Sequence, residues 1–197
     1  MAEKAFDFTP FGVKGLTYNV YLDLIKDLLT ENKTTGPDQT EELVHYTKLN
    51  VQRMERIYKT AQILPELEQK IKAINSPQTW IAISEAWCGD AAQNIPLFQR
   101  LAELNSNITF KIVLRDENPD LMERYLTNGT KAIPIVFALL NGKQIWKWGP
   151  RPAAAQNLVL EFKKMQQGTV EDMKTQLHTW YAHNKTIDQQ HELIKLM

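Results

Sequence analysis

The dipeptide Asn141-Gly142 restricts what this chain can fold into more than any other feature. A two-residue hairpin loop of type I′ needs positive φ at both positions, which asparagine tolerates and glycine adopts freely. The flanks agree, because residues 135–140 are wholly apolar and residues 143–148 carry two tryptophans. An antiparallel hairpin is therefore expected over 135–148. A lone hairpin cannot bury its apolar face, so further strands must come from elsewhere in the 197 residues.

Two more strand patterns lie upstream. Residues 79–84 form a short apolar stretch rich in Ile and Trp, bounded by Asn75, Ser76 and Pro77. Residues 108–114 alternate Ile108, Phe110, Ile112 and Leu114 with Thr109, Lys111 and Val113. Helical spacing over 89–105 joins the two, which makes a βαβ unit. A short helix over 120–126 then leads to the hairpin, and a helix carrying Leu158, Val159 and Phe162 closes the series. The expected fold class is α/β, in the order βαβ-α-ββ-α around a central mixed sheet, with helical extensions at both ends.

Before this unit, a mobile start up to Gly15 is followed by helical recurrence at Leu16, Val20, Leu24 and Leu28, broken at residues 34–37. Asp38 with Glu41 reads as a capping box for a second helix through Thr47, Asn50 and Met54 to about Leu64. Pro65 suits the first turn of a third. Two more helices are expected over 169–182 and 187–197. The expected organisation is an N-terminal helical extension (1–77), an α/β domain (78–166) and C-terminal helices (167–197) packing on that domain. The apolar stripes of these helices must be buried against the sheet or across a homodimer.

The 23 Lys and Arg balance 23 Asp and Glu, so net charge draws the chain to neither nucleic acid nor an anionic membrane. Lys163, Lys164 and Lys174 read as a solvated helix face. No stretch has the length and apolarity to span a bilayer, and the start lacks the apolar core of a signal peptide. A single cysteine, Cys88, rules out an internal disulfide. With no signal peptide, that points to the reducing cytoplasm.

The segment Glu85-Ala86-Trp87-Cys88-Gly89-Asp90-Ala91 sits between the first strand and the helix of the βαβ unit. It resembles the Trp-Cys-Gly-x-Cys active-site turn of the thioredoxin superfamily. Pro96 matches the proline inside that family's active-site helix, Ile133-Pro134 its cis-proline loop, and Gly149 the glycine after its hairpin. The segment Trp148 to Pro152 adds a likeness to a bacterial thioredoxin-like subgroup with a helical N-terminal extension. The resemblance implies a thioredoxin-like fold and thiol-disulfide exchange through Cys88. It also implies a substrate groove shaped by Trp87, Gly89, Asp90, Ile133 and Pro134.

The residues themselves bear on that chemistry. A lone cysteine is more often an inert core residue, but one at a helix N-terminus lies among unpaired N–H groups that favour its thiolate. Asp90 opposes that effect, and Ala82 stands where the family usually has a buried acid. Glu85, Arg115 and Arg151 are expected at the same end of the sheet, where either arginine could offset Glu85 and Asp90. Trp87 is expected to be exposed, while Trp148 fits groove or core equally.

The larger departure is Ala91, since a dithiol enzyme clears its mixed disulfide with a second thiolate and alanine has none. The expected function is therefore a monothiol redox protein that forms mixed disulfides with protein or low-molecular-weight thiols and needs an external thiol for release. The alternative is a non-catalytic thioredoxin-fold binding or scaffold module. No cofactor is expected. The residues after Cys88 do not match monothiol iron–sulfur relatives, and no CxxC or HExxH spacing suggests a metal. His45, His178, His183 and His191 lie far in sequence from the cysteine.

Overall fold

The computed structural model describes residues 6–165 and 168–197. Its four strands are β1 (Gln78–Ser84), β2 (Ile108–Leu114), β3 (Ile135–Leu140) and β4 (Lys143–Trp148), in the order β2-β1-β3-β4. β1 runs parallel to β2 and antiparallel to β3, so the sheet is mixed. Asn141 and Gly142 take φ of 52° and 73°, the positive pair that a type I′ turn requires. β1 and β3 are central and buried on both faces, which is why they read as continuous apolar runs.

The helices follow in chain order: α1 (Thr9–Lys14), α2 (Tyr18–Thr30), α3 (Glu41–Thr60), α4 (Pro65–Lys72), α5 (Gly89–Ala102), α6 (Pro119–Glu123), α7 (Ala153–Met165), α8 (Val170–Asn184) and α9 (Ile187–Leu196). The fold is thioredoxin-like with helical extensions. The boundary expected between 166 and 167 lies outside the described residues.

Two local expectations are corrected. The start of the chain is built rather than mobile from Phe6 onward, because Phe6, Phe8 and Phe11 pack against the core and the Phe8 ring lies 5.5 Å from that of Phe137. Leu16 then pairs with Ile112 through two backbone hydrogen bonds, covering the outer edge of β2. The N-cap of α3 is Thr40, whose side chain accepts from Leu43 N–H, and not Asp38, which accepts from Thr40 N–H one step earlier.

One core cluster runs through most of the chain. Trp80, Ile81, Ile83, Phe98 and Phe137 pack at its centre, and Tyr21, Ile25, Met54, Leu67, Ile71 and Leu193 join it from the flanking helices. The buried face of α2 is Tyr18, Tyr21 and Ile25 rather than the Leu16, Val20, Leu24, Leu28 stripe, of which Val20 is exposed; together with those of α3 and α4, that face is covered within the chain. Trp148 belongs here too. It is buried beside Phe98, and its Nε1 donates to Glu192 at 2.7 Å. Among the described residues no helix is long and apolar enough to cross a membrane.

Gly149 ends β4 at φ +117°, where an added Cβ would lie 2.2 Å from the carbonyl oxygen of Pro134. Both the dihedral and the contact exclude a side chain. Gly149→Ala is expected to lower stability by about 2 kcal/mol or more, seen as a lower urea midpoint.

Candidate thiol site

After β1 the chain turns through Glu85, Ala86 and Trp87, and Cys88 becomes the N-cap of α5. The turn is buried, so its polar backbone groups need partners inside the protein. Ala86 N–H donates to Thr35 Oγ1 at 2.8 Å, and Ala86 C=O accepts from Asn50 Nδ2 at 2.8 Å. Arg53 in turn donates to Asn50 Oδ1 at 2.9 Å, which fixes the amide's orientation. The N-terminal helices thus hold the turn that presents the thiol.

The Cys88 thiol donates to the Ile133 carbonyl at 3.3 Å and accepts from Ala91 N–H at 3.5 Å. The Ile133-Pro134 and Gly149-Pro150 bonds are both cis. Cys88 is buried, with 8% of its surface exposed. Burial first, and then the Asp90 carboxylate, push its pKa up to about 12, against the opposing pull of Ala91 N–H and Arg151. At rest the group is a neutral thiol, so the helix N-terminus alone does not activate it.

Asp90 is buried and doubly held. Arg151 Nη2 donates to its Oδ2 at 2.5 Å, and Tyr181 O–H donates to its Oδ1 at 2.6 Å. Asn94 Nδ2 donates to the same tyrosine oxygen at 3.0 Å. Burial raises the Asp90 pKa, opposed by Arg151 and Tyr181. Arg115 plays no part in this pairing. It forms a two-bond pair with Asp116, and its guanidinium lies 4.7 Å from the centre of the Trp87 ring.

Glu85 makes no ion pair with either arginine, although Arg115, paired to the neighbouring Asp116, favours its charged form. It is buried, with one oxygen accepting from Asp116 N–H at 2.9 Å and the Thr35 hydroxyl also favouring its charged form. Burial raises its pKa.

A groove of about 380 Å³ opens over the thiol, lined by Trp87, Cys88, Gly89, Asp90, Arg115, Ile133 and Arg151. Pro134 and Glu85 lie outside that lining. Trp87 is half-buried rather than exposed, because Arg115 covers its ring.

The opposite wall comes from Met173, Lys174, Leu177 and His178 of α8, a contribution that sequence separation concealed. His178 lies so close that a Cβ on Gly89 would sit 2.8 Å from its Cε1, and Arg53 Nη1 would be 3.8 Å from the same point. Gln93 Nε2 lies 3.3 Å from His178 Nδ1. Burial first, then Arg53, push the His178 pKa down to about 4. Tyr181, Asn50, Thr35 and Arg53 were likewise not foreseen. The one available signal was Asp90 itself, since a carboxylate two residues after a buried cysteine needs a partner.

A family model described as Thioredoxin matches residues 36–174, well over half of the chain. The chain belongs to the thioredoxin family. The match reaches from the loop before α3 into α8, so it takes in the sheet and α3, whose Asn50 holds the Ala86 turn, and begins one residue after Thr35. Among solved structures, a protein of unknown function from Pseudomonas aeruginosa is 13% identical with a TM-score of 0.64, covering 98% of this chain and 97% of that one. An HIV epitope-scaffold is 15% identical with a TM-score of 0.62, covering 97% of each chain. At these identities the likeness is one of fold, and it extends to the helical ends. Among curated proteins no sequence matches.

Two outcomes follow from the charges. Asp90→Asn removes a carboxylate that disfavours the thiolate, so the apparent pKa of Cys88 should fall. One unit would give roughly tenfold faster alkylation at fixed pH, measured as a pH–rate profile with iodoacetamide. For His178 the folded pKa lies below the ordinary value of 6.5. The unfolded chain therefore takes up the proton first on acidification. The stability this residue contributes is complete above about pH 6.5 and is lost as pH falls toward 4. His178→Gln should flatten the unfolding midpoint across that window relative to wild type.

Proposed function

We propose that this thioredoxin-family protein is a monothiol redox protein in which Cys88 forms a mixed disulfide with a protein or low-molecular-weight disulfide docked in the groove. The observation that carries this reading is the Cys88 thiol on the groove lining, hydrogen-bonded to the Ile133 carbonyl. An extended segment docking along residue 133 would compete for that carbonyl and so remove the acceptor that favours the protonated thiol. The proton leaves, the Cys88 sulfur attacks one sulfur of R–S–S–R′, the S–S bond breaks, and R′–S⁻ departs to take up a proton.

Release needs a second thiol from outside. Position 91 is alanine, its backbone N–H lies 3.5 Å from Sγ, and the chain has no other cysteine. A protein thiol or a small-molecule thiol would complete the cycle by the same exchange. We assign the protein to the cytoplasm, because a single free thiol suits a reducing compartment. No cofactor enters this scheme.

Hydroxyethyl disulfide and intact-mass measurement provide the test. Native wild-type protein should accumulate one adduct per chain and keep it until a thiol is added, whereas Cys88→Ser should take up none. Ala91→Cys should clear the adduct unaided and end as an internal disulfide. If native protein resists modification while the unfolded chain reacts, the monothiol reading fails and a non-catalytic thioredoxin-fold module remains.

A further inference from the structure

A second cavity, of about 400 Å³, lies behind α8, between α3, the flank of α5 and the corner joining α8 to α9. It shares no lining residue with the groove over Cys88. Its volume falls in the range of small-molecule sites. Its lining holds no aspartate or glutamate, and it does hold Arg56 and Lys185. Neither of these joins any of the ion pairs or side-chain hydrogen bonds among the described residues. Most other charged pairs near α8 are internally matched, as Lys174 is with Glu42 and Glu171.

The surroundings carry the same sign. Arg53 sits beside Arg56, and the two together lower the pKa of the neighbouring His178. Glu171 acts on Arg53 and His178 with the opposite sign, but no carboxylate lines the cavity itself, so Arg56 and Lys185 favour an anion there. The remaining lining is amphipathic. Ile57, Tyr181 and Ile187 give it apolar surface, while Gln62 and Asn184 add amides. Asn184 Oδ1 accepts from Asp188 N–H at 3.1 Å, and its Nδ2 has no partner among the described residues.

We propose that this cavity binds a small organic anion, a phosphate or carboxylate on an apolar body, with Arg56 and Lys185 holding the charged end. The apolar body lies against Ile57 and Tyr181. The site is distinct from the Cys88 groove, because the two share no lining residue and neither cation touches that groove, although Tyr181 reaches from this cavity to Asp90.

The test is an NMR titration of the full chain with phenyl phosphate and, separately, phenylacetate, each set against neutral benzyl alcohol. At least one anion should bind with a Kd of about 1 mM or tighter, and benzyl alcohol should not. Which anion binds tells phosphate from carboxylate recognition. The double variant Arg56→Gln/Lys185→Gln changes two exposed side chains, and its fold can be verified by circular dichroism. It should weaken binding at least tenfold, whereas Cys88→Ser should leave it unchanged. Failure of both anions to bind, equal affinity in the double variant, or loss of binding in Cys88→Ser would each overturn the proposal.

Discussion

The peptide groups around Ala86 set the terms for the rest of the molecule. This turn must be buried if Cys88 is to cap α5 beneath a groove, and a buried amide or carbonyl without a partner costs about 1–3 kcal/mol. Strand pairing ends at Ser84, so the sheet cannot supply those partners. Thr35 and Asn50 supply them from the helical extension. The extension is therefore part of the machinery that presents the thiol. The family match takes in α3 with Asn50 as well as the sheet.

The electrostatics of Cys88 follow from a competition with an identifiable winner. A helix N-terminus favours a charged group by about 0.3–1 kcal/mol, and up to ~2 in partly buried geometry. Raising the thiol from its ordinary value of 9 to about 12 corresponds to roughly 4 kcal/mol in the other direction. Burial dominates, and Asp90 adds to it. Arg151 answers Asp90, but its charge is spent largely on the carboxylate it touches. The resting protein thus keeps its sulfur protonated and bound to Ile133. Chemistry at this site has to begin with a change in those surroundings.

α8 links the two halves of the picture. On one side it walls the Cys88 groove with Leu177 and His178, and through Tyr181 it holds Asp90. On the other side Tyr181 lines the cation-bearing cavity. Its own apolar cluster with α7 is small, built on Ala155, Val159, Leu177 and Tyr181. Polar contacts therefore do much of the work of seating it, including Tyr46 to Glu171 at 2.6 Å and Lys174 to Glu42 at 2.9 Å.

The sheet and the position of the thiol are legible in the order of residues alone. Period-two patterning, continuous apolar runs and Asn141-Gly142 are local signals that survive folding unchanged, and Trp87-Cys88-Gly89 falls where β1 meets α5. The same order shows that position 91 lacks a thiol. What surrounds Cys88 emerges from the packing of distant elements. Asp90 is paired by Arg151 and Tyr181, 61 and 91 residues away. His178 approaches Gly89, and Asn50 closes the Ala86 turn from 36 residues upstream. Such partners are chosen by how helices pack in space, which a one-dimensional pattern does not encode. The same holds for burial, the quantity that raises the pKa of a cysteine at a helix N-terminus instead of letting it fall.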